Sequence, residues 1–221
     1  MTRLMIALGV LTLTACESAT LPPRRSADVY EFRLPTTPPA VLHWRAGTTV
    51  RVYVSSDAAT RATLADALAA GAAEWNRYAL FAEYRLQATT SLDDADVVLR
   101  WMHEPSELDL TGCLPAGARA VTTFCLADPD SVAAGLYRFP AADGAETDVR
   151  MVVSVLGSEA TIAGRVASLV THELGHVLGI AQHSDVAADL MAETQLSRTT
   201  LSARDAATVQ TLYHTRPDLV P

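Results

Sequence analysis

The sequence predicts an α+β domain built on a mixed five-stranded β-sheet. Three observations carry that expectation: short β-rich runs, one early helical stripe among them, and two helical segments after the last run. Residues 49–54 (TVRVYV) alternate and are rich in β-branched side chains, which makes them the first strand. Over residues 57–78 apolar side chains recur at Leu64, Leu68, Ala72 and Trp75, the spacing of one helix face, with a single glycine at 71. Residues 81–88, 96–101, 120–126 and 150–155 give four further strands, and a long helix over about residues 163–178 follows. The last helix starts at Ser202, which with Asp205 has the S-x-x-D capping spacing, and it buries Ala206, Val209, Leu212 and Tyr213.

The long second helix carries the most informative stretch, HELGHVLGIAQH at residues 172–183. His172 and His176 stand four apart, a little over one helical turn, so both imidazoles leave one face and can grip one cation. Glu173 then lies beside that cation, placed to take a proton from a bound water. Gly179 allows the helix to stop in a left-handed turn, after which the chain can return and offer His183 as a third ligand. Three nitrogen ligands and one open position are how a catalytic zinc is held; structural sites close all four. The alternative of core histidines fits poorly, because Val170, Leu174, Val177 and Leu178 already supply the apolar face.

The N-terminus has the pattern of an export signal over residues 1–15. Arg3 supplies the charge, residues 4–13 a short apolar run, and Leu13, Thr14 and Ala15 a small-residue cleavage region before Cys16. A Cys in that place resembles the lipidated Cys of bacterial lipoproteins; the alternative is a plain secretory signal. The expected localisation is thus exported and anchored to a membrane through lipid on Cys16, the outer membrane in a Gram-negative host, or otherwise secreted. In an oxidising compartment the remaining pair, Cys113 and Cys125, is expected to form a disulfide, closing a loop of about a dozen residues worth ~3 kcal/mol. Residues 16–47 carry Pro22, Pro23, Pro35, Pro38 and Pro39 among Ser, Thr and Ala, and read as a tether ahead of a single domain at 48–221. The net charge of −8 argues against nucleic acid as a partner. All 17 cations are Arg, which carries no functional implication.

HELGHVLG followed by a third His, the downstream Met191 and the terminal LSARDAATVQTLY together resemble the metzincin zinc peptidases, and within that clan the bacterial matrixin-like proteins. The order of elements is similar too. The resemblance implies a zincin-like fold with a twisted sheet and one catalytic Zn2+ held by His172, His176 and His183. It implies Glu173 as the base acting on a zinc-activated water, and Met191 as the methionine of a turn beneath the metal. Two departures stand out. Three residues, Ile180, Ala181 and Gln182, separate the glycine from the third His where the family has two, so Gln182 occupies the usual ligand position. A neutral amide is a poor zinc ligand beside imidazole, which favours a one-residue bulge that delivers His183. After Met191 stand Ala192 and Glu193 in place of the common Tyr-Pro.

The implied activity is a zinc metalloendopeptidase, expected to act as a monomer. Its protein or peptide substrate would lie extended along the strand at 120–126, with residues 192–200 walling a pocket. Two other classes remain at this point: a zinc-binding surface lipoprotein with little turnover, and a zinc hydrolase of a non-peptide amide such as a cell-wall bond. No D-x-D-x-D-G loop marks a calcium site, and a structural Ca2+ stays open.

Overall fold

The computed structural model describes residues 29–104, 120–124, 137–140, 146–157, 165–193 and 197–221. Cys16, Cys113 and Cys125 lie outside the described residues. Strand β1 (Thr48–Ser55) leads into α1 (Ala58–Asn76), whose N-terminus is capped by the Asp57 carboxylate accepting from the amides of Ala59 and Thr60. Then come β2 (Tyr84–Thr89), β3 (Val97–Met102), β4 (Ala120–Phe124), β5 (Tyr137–Pro140), β6 (Glu146–Val149) and β7 (Met151–Leu156). The motif helix α2 (Arg165–Val177) and the terminal α3 (Ala203–Tyr213) complete the order.

The main sheet runs β2-β1-β3-β7-β4, with β2, β1, β3 and β7 parallel and β4 antiparallel on the outer side of β7. Parallel strands are covered on both faces, which explains why β7 is buried at every position and reads as the continuous apolar run MVVSVL. Helices α1 and α2 cross closely on one side. A Cβ on Gly71 would stand 2.9 Å from Thr171 Oγ1 and 3.2 Å from Thr171 Cα, so the one glycine inside α1 is the point of contact. The Trp75 indole, fully buried at the end of α1, donates to the Thr171 carbonyl at 2.7 Å and fixes the relative position of the two helices.

Two sequence expectations need correction. Residues 81–83 do not open a strand: Ala82 has φ +56, and the Phe81 amide donates to the Glu83 carboxylate, so β2 begins only at Tyr84. The tether ends earlier than residue 47. Tyr30, Phe32, Leu34, Val41, Leu42 and Trp44 are all buried in the main core, and the prolines at 35, 38 and 39 merely turn the chain between them. This strap is tied to the C-terminal tail, with the amides of Asp218 and Leu219 donating to the Val41 carbonyl and the Val41 amide donating to the Asp218 carboxylate. The hairpin β5–β6 carries no clear sequence signal, because its strands of 4 residues each are too short to show a period.

Helix α2 ends in a Schellman motif. The Ile180 amide donates to the Gly175 carbonyl at 3.1 Å and the Gly179 amide to the His176 carbonyl at 2.9 Å, with Gly179 at φ +111. A Cβ there would also collide with the carbonyl oxygen of Leu42 in the strap. Gly179→Ala is therefore expected to cost ~2–4 kcal/mol, from strain plus displacement of the strap. Urea unfolding measures it; a midpoint equal to wild type would contradict the packing.

Candidate metal centre

Helix α2 sets His172 and His176 on one face, and the turn at Gly179 returns the chain so that His183 closes the group. Ring nitrogens of the three lie within 4.8 Å of one another, and the ring centroids are 5.0, 5.2 and 5.0 Å apart, a nearly equilateral triangle. The Nε2 atoms of His176 and His183 are 3.3 Å apart. Two nitrogens bound to one tetrahedral zinc at ordinary lengths stand about 3.3 Å from each other, so the spacing suits a shared ion.

The backbone decides which nitrogen is free. His172 Nδ1 faces the Leu190 carbonyl at 2.8 Å, and His176 Nδ1 faces the Ile180 carbonyl. A carbonyl only accepts, so each Nδ1 must carry the proton, leaving the Nε2 lone pairs to face the common point. Burial, followed by the neighbouring His172 and His183, holds His176 well below the ordinary imidazole range. Partial desolvation on the side of its ring that faces the group, and then His172, lower His183 as well, although its outer edge is exposed. Both rings therefore stay neutral, the form that binds a metal, to lower pH than a free histidine would. His172 is buried, His176 half-buried and His183 exposed, so the group opens to solvent on one side. Glu173, next to His172 on α2, is buried.

Gln182 does not face the histidines. Its side-chain amide donates to the Arg33 carbonyl in the strap at 3.1 Å, and the preceding Ala181 amide donates to the Phe32 carbonyl at 2.9 Å. The extra residue is thus taken up by a bulge and His183 joins the pair. Asp185, His103 and His214 are engaged elsewhere: Asp185 pairs with Arg204 at 3.0 Å, His103 with Asp57 at 3.3 Å and His214 with Glu83 at 3.4 Å.

Met191 is fully buried beneath this turn of α2. A Cβ on Gly175, between the two helical histidines, would collide with Met191 Sδ and stand 2.7 Å from the Trp75 ring. The same turn supplies two backbone carbonyls to the site. Leu190 O holds His172, and Met191 O accepts from the Ser184 amide at 2.8 Å, directly after His183. Asp205 fixes the turn in place: its carboxylate accepts from the amides of Leu190 at 2.7 Å, Met191 at 3.3 Å and Ser202 at 2.8 Å, and from the Tyr30 hydroxyl at 2.9 Å. Asp189, also buried, accepts from the hydroxyls of Ser184 and Ser202 and pairs with Arg204 at 3.4 Å. Sequence patterning marked Asp205 only as a helix cap and passed over Asp189. The available signal was an acid directly before the apolar pair Leu190-Met191, which implies a buried charge with nearby donors.

The family model described as Matrixin (Peptidase_M10) matches residues 79–214, more than half of the chain. The match contains the three histidines, the turn at Met191 and α3, while the strap at 29–44 and β1 precede it. A search of the curated proteins finds no match.

Asp205→Asn keeps the shape of the side chain but replaces one acceptor oxygen by an amide that faces N–H donors. It should destabilise the fold by ~2–3 kcal/mol, because charge-assisted hydrogen bonds to buried backbone are lost. It should also weaken divalent-metal binding, since the carbonyls behind His172 and Ser184 move with the turn. Denaturant unfolding together with chelator competition measures both, and unchanged metal affinity in a destabilised variant would separate Asp205 from the site.

Proposed function

The chain belongs to the matrixin family of metallopeptidases, and from that premise we propose that it is an exported zinc-dependent endopeptidase with Glu173 as its general base. The observation that carries the proposal is the convergence of three imidazoles at a spacing that suits zinc, two of them with Nδ1 committed to backbone carbonyls. Nitrogen-only donors favour zinc over magnesium or calcium. When bound, the ion supplies a Lewis acid that lowers the pKa of water towards 7 and polarises the scissile carbonyl.

The protein's own groups do the rest. Glu173 takes the proton of the attacking water and returns it to the leaving amine nitrogen. Its burial beside His172 keeps bulk water from competing for that proton. The substrate lies extended along β4, the outermost strand of the sheet on the β7 side, and pairs with it through main-chain hydrogen bonds. Such pairing recognises any extended peptide, so selectivity falls to side-chain pockets. Ala192 and Glu193 follow Met191, so no tyrosine at those two positions assists the carbonyl oxygen. In this reading Cys16 carries the lipid that holds the enzyme at a membrane and Cys113 is joined to Cys125.

Glu173→Gln should abolish cleavage of casein or a quenched peptide while full metal content is retained, because the carboxylate is a base and not a ligand. Metal analysis and turnover on one sample test it; metal-replete protein with undiminished activity would remove Glu173 from the mechanism. Cys16→Ser should move the protein from the membrane to the soluble fraction, since the acyl chains hang on that sulfur. If the wild type incorporates no labelled palmitate, a secreted enzyme replaces the anchored one.

A further inference from the structure

The residue that makes this chain's motif one longer than the usual spacing is itself held by a specific contact. We propose that Gln182 is a positioning residue for the third metal ligand, and that the strap of residues 29–44 is thereby a working part of the metal centre. The inference rests on the zinc reading of His172, His176 and His183 and extends it to a segment that precedes the matched family span.

An extra residue between Gly179 and the third ligand leaves two outcomes for the loop. Either residue 182 points at the metal and His183 away, or residue 182 is turned out and His183 in. With Gln182 turned out, its part-buried amide N–H is held there by an acceptor. The strap provides it. Phe32 O and Arg33 O, successive carbonyls, accept from the Ala181 amide and the Gln182 side chain, so two adjacent residues of the bulge are pinned to two adjacent residues of the strap. The strap is in turn held to the end of α2 and to the support of the Met191 turn. The Trp44 indole donates to the Val177 carbonyl at 2.8 Å at the end of α2, and the Tyr30 hydroxyl donates to Asp205, the carboxylate that supports the turn at Met191. Leu42 O lies where any side chain at 179 would be. The strap thus touches the end of α2, the bulge and the support of the Met191 turn, the three features that aim the three imidazoles.

The test uses the full chain, with Co2+ as the probe, in the wild type and in Gln182→Met, Gln182→Lys and His183→Ala. Methionine keeps the length of glutamine and lacks a donor; lysine can donate to Arg33 O. The expectation is that Gln182→Met binds Co2+ about fivefold more weakly, the change one ordinary hydrogen bond sustains, and that Gln182→Lys recovers most of the loss. The visible spectrum of bound Co2+, which reports ligand number and geometry, should change in Gln182→Met and return in Gln182→Lys. A spectrum that stays as in the wild type while stability falls would make Gln182 merely structural and overturn the proposal. Wild-type affinity in Gln182→Met beside a damaged His183→Ala would overturn it while sparing the triad. If His183→Ala itself binds Co2+ like the wild type, the triad reading falls and this proposal with it.

Discussion

The buried carboxylate of Asp205 accepts from the backbone amides of Leu190, Met191 and Ser202 and from the Tyr30 hydroxyl, and the geometry of the histidine triad depends on that one group. A carboxylate taken out of water needs donors around both oxygens, and four donors from three separate segments meet that need. The consequence is mutual. Because Asp205 holds the Met191 turn, the Leu190 carbonyl is in place to orient His172, and the Met191 carbonyl to hold Ser184 beside His183. Because α3 carries Asp205 near its N-terminus, the position of that helix is transmitted to the three histidines without touching them.

A second constraint is the direction of the imidazole lone pairs. A histidine offers two nitrogens, and a helix that places two rings four residues apart says nothing about which nitrogen each ring turns inward. Here backbone carbonyls at Leu190 and Ile180 take the Nδ1 protons, one carbonyl from the Met191 turn and one from the turn that ends α2. The Schellman ending is therefore more than a helix stop: it positions the Ile180 carbonyl against His176. Lowered proton affinity in His176 and His183 follows from desolvation and from the crowding of the three rings, and it favours the neutral rings a metal requires.

The packing beneath the site is unusually dependent on glycines at three points, each for a different neighbour. Gly71 admits α2 against α1, Gly175 admits Met191 and the Trp75 ring, and Gly179 admits the strap. Each marks a place where two segments distant in sequence approach more closely than a Cβ would allow, and so where the helix carrying His172 and His176 is located relative to the remainder of the core.

Local periodicity and caps were enough to place β1, α1, β3, α2 and α3, because alternation, a 3.6-residue stripe and an S-x-x-D box are properties of consecutive residues. The spacing of His172 and His176 was legible for the same reason, since one turn of helix is a local geometry. What lay beyond the sequence was set by contacts between distant residues. The bulge at Gln182 needs the carbonyl of Arg33, the Met191 turn needs Asp205, and the strap needs Asp218 and the core before its proline-rich composition stops reading as a linker. A hydrogen-bond acceptor 149 positions away has no signature in the spacing of the residue it holds, so only the folded chain decides that His183, and not Gln182, completes the triangle.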